Sequence, residues 1–268
     1  MAHTPTIEPD DAPRIEVRGL KAIYGSQVIL QDITFSVGRG RIFVVMGGSG
    51  SGKSTLLRNM IGLREPAGGS VRYAGQEFTS AGREERAGML RRFGVLYQKG
   101  ALWSSMTLAE NIGIVLSQYT DLSASEIEEV AAFKLALVGL AGFGGFYPSE
   151  ISGGMQKRAG LARAMALDPE ILFLDEPSAG LDPVSSRRLD ELILELRDSL
   201  GTTVVVVTHE LASIFAIGDD SVFLDAETHT VIARGNPRDL LENTTDPMVR
   251  TFLSRGAPPK STSNRERP

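Results

Sequence analysis

The nonapeptide Gly47-Gly48-Ser49-Gly50-Ser51-Gly52-Lys53-Ser54-Thr55 constrains this chain more than any other stretch. An apolar run from Ile42 to Met46 precedes it and reads as a buried strand, while Leu56, Leu57, Met60 and Ile61 follow at the spacing of one helix face. Strand, glycine-rich loop and helix are the context that the phosphate-binding loop G-x-x-x-x-G-K-[ST] requires. The glycines let backbone N–H groups curl around phosphate oxygens, and a helix starting near Gly52 turns its positive dipole end toward the same anion. In such a loop Lys53 reaches the β- and γ-phosphates, and Ser54 places its hydroxyl on Mg²⁺. The competing reading, a glycine-rich turn without a ligand, leaves the flanking strand and helix unexplained.

A second apolar run, Ile171 to Leu174, ends in Asp175-Glu176. A carboxylate at the C-terminal end of a buried strand would stand beside the phosphate loop, where Asp175 can hold Mg²⁺ and Glu176 can act as general base toward water. The bland alternative is a strand capped by two solvated acids. Helices are expected over about 152–167 and 183–200, and further strands at Val204–Val207, Val222–Leu224 and Val231–Ala233, the last two as a closing antiparallel pair. Near-continuous Val/Ile/Leu strands alternating with helices argue an α/β fold with a parallel sheet covered on both faces. Short strands are also expected at 14–19, 28–30, 33–37, 71–73 and 95–97, with Gly68-Gly69-Ser70 closing the first helical section. Residues 81–92 read as a charged helix. From Lys99 to about Phe146 the strand signal vanishes, and Ser123 with Glu126 forms a capping box that opens a helix.

Composition narrows the function. A formal net charge of −5 and a pI near 5.4 disfavour a nucleic-acid partner, and the absence of cysteine removes disulfides, thiolate metal sites and a cysteine nucleophile. No apolar run approaches the roughly 20 residues that span a bilayer. Residues 1–13, with three prolines and three acids, read as a disordered leader without signal-peptide features. The expectation is a cytoplasmic chain whose membrane role, if any, runs through a partner. The tail from Ala257 reads as mobile.

The segment Ile151-Ser152-Gly153-Gly154-Met155-Gln156-Lys157-Arg158 places two glycines at the start of an apolar-periodic helix. Glycine there weakens the helix but lets a phosphate approach its N-terminus, with Ser152 and backbone N–H groups as donors. One nucleotide does not need two such helix starts, whereas two copies exchanging these segments do.

Taken together these motifs resemble the ATP-binding cassette (ABC) ATPases from about Arg14 to Gly235. Ser152-Gly153-Gly154 is similar to the LSGGQ-type signature, with Ile151 for Leu and Met155 for Gln. Gln98 is similar to the Q-loop, Ser178-Ala179-Gly180-Leu181-Asp182 to the D-loop, His209 to the switch histidine and Tyr24 to the aromatic that stacks on adenine. The resemblance implies a P-loop NTPase core of RecA-like type over residues 14–98 and 160–235 with an antiparallel β subdomain, an inserted helical subdomain over 99–159 and a C-terminal extension over 236–268. It also implies ATP and Mg²⁺ as cofactors, with ATP held by Tyr24, the loop residues Gly47, Gly48, Ser49, Gly50, Ser51, Gly52, Lys53, Ser54 and Thr55, and the second copy's Ser152, Gly153, Gly154 and Asp182. Ser54, Gln98 and Asp175 would serve the metal; Glu176, His209, Gln98 and Lys53 would serve catalysis. The bland alternatives, each less favoured, are a surface histidine at a helix start for His209, a turn aromatic for Tyr24 and a loop amide for Gln98.

Two further segments, Leu96-Tyr97-Gln98-Lys99-Gly100-Ala101-Leu102-Trp103 and Ser152 to Ala164, resemble the bacterial Mla/Mce-type lipid-transport ATPases, as does Asp246 to Leu253. That resemblance implies an inner-membrane permease, periplasmic MCE-domain proteins and a phospholipid cargo, with this chain on the cytoplasmic face as a head-to-tail dimer. The alternatives are a non-lipid ABC importer, a soluble ABC ATPase acting on nucleic acid or ribosomes, and a regulatory subunit that binds ATP without turnover. Leu102, Trp103, Met106 and Leu108 could meet a partner helix or close the subdomain's own core. Val249, Phe252 and Leu253 could dock on a neighbouring copy or fold back.

Overall fold

The five residues Thr203–Val207 are all buried, and everything that positions the site is arranged around that strand. The structure is a computed structural model that describes residues 12–98 and 100–255; most of the expected leader, and the tail from Ala257, lie outside the described residues. In chain order the strands are β1 (Ile15–Tyr24), β2 (Gln27–Val37), β3 (Ile42–Gly47), β4 (Gly68–Tyr73), β5 (Gln76–Glu77), β6 (Phe93–Leu96), β7 (Ile171–Asp175), β8 (Thr203–Val207), β9 (Asp220–Leu224) and β10 (Val231–Gly235). The helices are α1 (Lys53–Met60), α2 (Arg83–Leu90), α3 (Leu108–Tyr119), α4 (Ala124–Leu137), α5 (Gly153–Ala164), α6 (Pro183–Leu200), α7 (Leu211–Ile217), α8 (Pro237–Asn243) and α9 (Pro247–Ser254).

Two sheets result. The larger has the order β10-β9-β3-β8-β7-β6, in which β9, β3, β8, β7 and β6 run parallel and β10 closes the edge antiparallel. The smaller, β2-β1-β4-β5, is antiparallel throughout. One core lies between the two sheets and α1, where Phe35 stacks on Phe43 with ring centroids 4.9 Å apart. A second lies under α3 to α6, and a third joins β3 and β9 to α7 and α9. Continuous apolar strands and this two-sided cover are the same fact seen from sequence and from structure.

The sheet register explains the site. Val45 pairs with Val207, and Val207 pairs with Asp175, so the C-terminal ends of β3, β8 and β7 stop in one row. Leu96 pairs with Leu174, which brings the end of β6 to the same edge. The loops that leave these four ends therefore emerge side by side, the crevice position where open parallel sheets bind ligands.

Several boundaries differ from expectation for physical reasons. The expected pair 28–30 and 33–37 is one strand, β2, whose register against β1 shifts near Asp32, a residue with φ of 53°. Gly68-Gly69-Ser70 does not end a helix but begins β4. A Cβ on Gly69 would lie 2.3 Å from the Gly19 carbonyl oxygen, so the glycine serves a close backbone approach to β1. Helix α5 runs unbroken across residues 159–160. Ser123 caps α4 through the expected reciprocal box with Glu126, and Thr107 with Glu110 does the same for α3. The C-terminal segment folds back on its own chain: Val249 and Leu253 are fully buried beside Val44, Met46, Ile214 and Phe223, and Phe252 meets Phe223 edge-on.

Candidate active site

A cavity of about 610 Å³ opens at this sheet edge. It is lined by the whole loop from Gly47 to Thr55, by Gln98, Glu176 and His209, and by Phe252 and Arg255 at the end of α9. Three loop glycines carry positive φ: Gly47 at 150°, Gly50 at 80° and Gly52 at 90°. A Cβ on Gly47 would stand 2.3 Å from the Leu224 carbonyl oxygen, so the loop can leave β3 only with glycine there. Lys53 Nζ donates to the carbonyls of Gly47 at 2.9 Å and Gly48 at 2.8 Å, folding the cation across the loop. Burial lowers the Lys53 pKa, and the Glu176 and Asp175 carboxylates oppose that shift. Ser51 Oγ is buried without a partner in the same loop. A loop of open N–H groups with one orphaned hydroxyl and one buried cation fits a phosphate chain.

Beside it, Ser54 Oγ donates to Asp175 Oδ1 at 3.5 Å. Burial, reinforced by the neighbouring Glu176, raises the Asp175 pKa, while Arg58, the Ser54 hydroxyl and Lys157 counter it. A hydroxyl beside a carboxylate is a hard oxygen pair that fits Mg²⁺. Among the described residues no group of three or more His, Cys, Asp or Glu side chains forms a ready-made metal site, so phosphates and water would complete such a coordination shell.

Glu176 is buried and has φ of 48°. Its N–H donates to the Val207 carbonyl at 2.8 Å, which extends the β7–β8 ladder by one bond. Its Oε2 accepts from Thr208 Oγ1 at 3.3 Å, and its Oε1 lies 2.7 Å from Nδ1 of His209. Thr208 itself is tied to β3, since its N–H donates to the Val45 carbonyl at 3.2 Å. The carboxylate is thus held at the cavity wall by the two residues that follow β8.

The remaining expected residues lie apart from the cavity lining. Ser152 is exposed, its Oγ accepting from Met155 N–H at 3.3 Å, and a Cβ on Gly153 would meet nothing within 4 Å. Gly154 instead abuts Ser185 of α6. Asp182 caps α6, its Oδ1 accepting from the Val184 and Ser185 N–H groups; the Ser185 hydroxyl first, and then these backbone bonds, lower its pKa. Tyr24 is 38% exposed, and the Arg64 guanidinium sits 3.4 Å from its ring centroid. Of the Leu102 group, Leu108 is core and Leu102 packs against it, whereas Trp103 is 58% exposed.

Sequence reasoning missed Lys157, Asn111 and the α9 wall. Buried Lys157 donates to the Gln98 and Glu176 carbonyls, and buried Asn111 bonds both backbone groups of Trp103. No local pattern marks either residue, because their partners are fixed by the tertiary fold.

A family model described as ABC transporter matches residues 30–179, which hold the loop, Gln98, the Ser152 helix start and Asp175-Glu176. The chain belongs to the ABC transporter family. Among relatives of this ABC chain, the Mycobacterium tuberculosis (H37Rv) "Probable ribonucleotide transport ATP-binding protein mkl" is 41% identical over 90% of this chain and 66% of its own length. This chain therefore spans just under two thirds of that relative. The Escherichia coli K12 "Intermembrane phospholipid transport system ATP-binding protein MlaF" is 36% identical over 92% of this chain and 91% of its own length. Among solved structures, the dimeric post-hydrolysis state of the ATP-binding cassette MJ0796 bound to ADP and Pi superposes with a TM-score of 0.75. It has 27% identity and covers 83% of this chain and 98% of the other. The two sheets and inserted helices are accordingly the ABC ATPase fold. No helix among the described residues is long and apolar enough to cross a membrane.

Proposed function

We propose that this chain is the ATPase subunit of an ABC transporter, hydrolysing ATP between two copies of itself to drive a membrane permease. The observation that carries the reading is the buried Glu176 carboxylate, fixed by Thr208 and His209 on the wall of a cavity built by the phosphate loop. The loop N–H groups and Lys53 would hold the phosphates, Tyr24 the base. Glu176 would accept the proton of the attacking water, and His209 would contact the γ-phosphate. Mg²⁺, held by Ser54, Asp175 and Gln98, would neutralise charge on the β- and γ-phosphates. Phosphoryl transfer needs this positioning and charge stabilisation more than covalent help.

The exposed Ser152 and the open face of Gly153 support a head-to-tail dimer in which each copy's α5 start closes over the other's nucleotide. The MJ0796 cassette, solved as a dimer with ADP and Pi, supports a dimeric state. Exposed Trp103, close after Gln98, is the proposed contact for the permease. Residues 14–98 with 160–235 are taken as the nucleotide-binding core, residues 99–159 as the helical subdomain and residues 236–268 as the C-terminal extension.

The proposed cargo is phospholipid moving between inner and outer membranes, with MCE-domain proteins engaged through the permease. The similarity to MlaF, which runs along almost its whole length, supports the phospholipid cargo. In this reading the chain sits peripherally on the cytoplasmic face of the inner membrane. The name of the mycobacterial relative, a probable ribonucleotide transport protein, supports a second reading with a nucleotide cargo. Co-purification from detergent-solubilised membranes tests both. Recovery with a polytopic permease and bound phospholipid is expected; bound ribonucleotide cargo favours the second reading, and recovery only as soluble protein overturns the transport assignment.

A further inference from the structure

Lys157 lies on α5, five residues beyond Ser152, and is only 6% exposed. Its ammonium donates to the Gln98 carbonyl and, at 3.1 Å, to the Glu176 carbonyl. Among the described residues it forms no ion pair within 4.0 Å; what it holds is backbone, and the backbone of two residues that face the nucleotide cavity.

Each of these carbonyls belongs to a tight segment. Glu176 is in the left-handed region at φ of 48°, a conformation a non-glycine residue keeps only when its surroundings hold it. Val207 secures its N–H, and Lys157 secures its carbonyl, so the peptide groups on both sides of the residue are clamped. Beyond Gln98 the chain turns through Gly100 and Ala101, with φ of 71° and 51°. Helix α5 packs directly against that turn: a Cβ on Gly160 would lie 3.0 Å from the Gly100 carbonyl oxygen and 2.8 Å from Leu96 Cδ1. Gly94, two residues before Leu96 on β6, allows the same closeness, its added Cβ falling 2.3 Å from the Ala164 carbonyl oxygen. The helix is therefore seated on β6 and the Gln98 turn with little slack.

We propose that Lys157 is a positioning residue for hydrolysis, joining the exposed Ser152-Gly153 start of α5 to the backbones of Glu176 and Gln98. The inference rests on the ATPase reading above. From Ser152 to Lys157 is about 7.5 Å of helix axis. A nucleotide from a second copy docking on that helix start would move a rigid element whose ammonium is bonded to both loops. Hydrolysis competence at Glu176 would then depend on α5 being seated.

The test uses the full chain and ATP, with Lys157→Met, Lys157→Gln and Lys157→Arg measured for kcat, KM, mant-ATP affinity and melting temperature. Lys157→Met is expected to lower kcat on the order of 100-fold, the scale of a small misplacement at a reacting centre, with KM and mant-ATP affinity within about threefold of wild type. Lys157→Arg, which keeps a buried cation that donates, is expected to recover most of the loss, and Lys157→Gln part of it. In a Glu176→Gln background, Lys157→Met is expected to cost nothing further, because it acts through Glu176. Unchanged kcat in Lys157→Met overturns the proposal. So do an equal loss of affinity and turnover, a failure of arginine to rescue, or full additivity with Glu176→Gln. If Lys157→Met does not fold, the Lys157→Gln and Lys157→Arg pair decides by the same criteria. A wild-type chain that binds mant-ATP but never turns ATP over overturns the ATPase reading itself, an outcome separate from any behaviour of the variants.

Discussion

Nδ1 of His209 lies 2.7 Å from Oε1 of Glu176, and the two residues come from the ends of adjacent parallel strands. The contact sets the order in which the two side chains matter. Glu176 is buried and held by Thr208 as well, whereas the His209 side chain is 55% exposed at the cavity. Glu176→Gln is expected to lower turnover by on the order of 10²–10⁴, the usual worth of a positioned general base, while ATP-dependent dimerisation persists. Phosphate release together with size-exclusion chromatography in ATP reads both, and wild-type hydrolysis by the variant would remove Glu176 from the role of base. His209→Ala is expected to lower turnover with mant-ATP affinity unchanged.

A different polar group governs stability. Asp190 on α6 is buried, accepts from Ser213 Oγ at 2.9 Å and leaves its Oδ1 without a partner; Ser213 in turn contacts Ser178. Burial pushes the carboxyl up from 3.8 to about 6, against the pull of the Ser213 hydrogen bond. The folded state therefore favours the protonated acid. Its stabilising contribution is complete below about pH 4 and is lost as pH rises through about 6, for a total of about 3 kcal/mol. Asp190→Asn, neutral at every pH, is expected to be more stable than wild type at pH 8 by about 1–3 kcal/mol and equal to it near pH 4. Urea unfolding at both values checks the difference; a larger gain at pH 4 would contradict it.

These two clusters show what the sequence could and could not convey. The phosphate loop and Asp175-Glu176 were readable because each is a local run whose neighbours fix its context. The parallel sheet was readable because strands buried on both faces are apolar at every position, as Val204 to Val207 are. The α9 contact was half readable: apolar Val249, Phe252 and Leu253 called for a surface to pack on, but not for whose core it would be. Lys157, Asn111 and Asp190 were not readable. Each is a polar residue whose partner is set by packing, and Lys157 is 59 residues from Gln98. The place of Glu176 at the end of β7 was expected, but its left-handed backbone had no sequence sign, since glycine is absent there.

Trp103 and Asn111 separate partner binding from folding. Asn111 is fully buried, accepts from the Trp103 N–H at 2.7 Å and donates to the carbonyls of Trp103, Met106 and Thr107, which fixes the turn that carries the exposed indole. Asn111→Ala strands these groups and is expected to cost about 2–4 kcal/mol in urea unfolding. Trp103→Ala is expected to leave stability and basal ATP hydrolysis unchanged while reducing recovery with the permease. Equal recovery of Trp103→Ala and wild type would move the partner contact elsewhere on the helical subdomain.

Two glycines of the nucleotide motifs should respond in opposite ways to the same added methyl group. At Gly47 a Cβ would run into the Leu224 carbonyl oxygen at a φ of 150°, so Gly47→Ala is expected to destabilise the chain by about 1–3 kcal/mol and to lower mant-ATP affinity in the monomer. At Gly153 a Cβ meets nothing within 4 Å and would enter a helix, where alanine is the better residue. Gly153→Ala should therefore leave melting temperature and monomer nucleotide affinity at or above wild type. Its cost should appear only when a second copy's phosphate must approach the α5 start, as lost ATP-dependent dimerisation of the Glu176→Gln chain. Undiminished dimerisation by Gly153→Ala would mean that the open face of α5 does not receive the partner's nucleotide, and that the phosphate loop works without it.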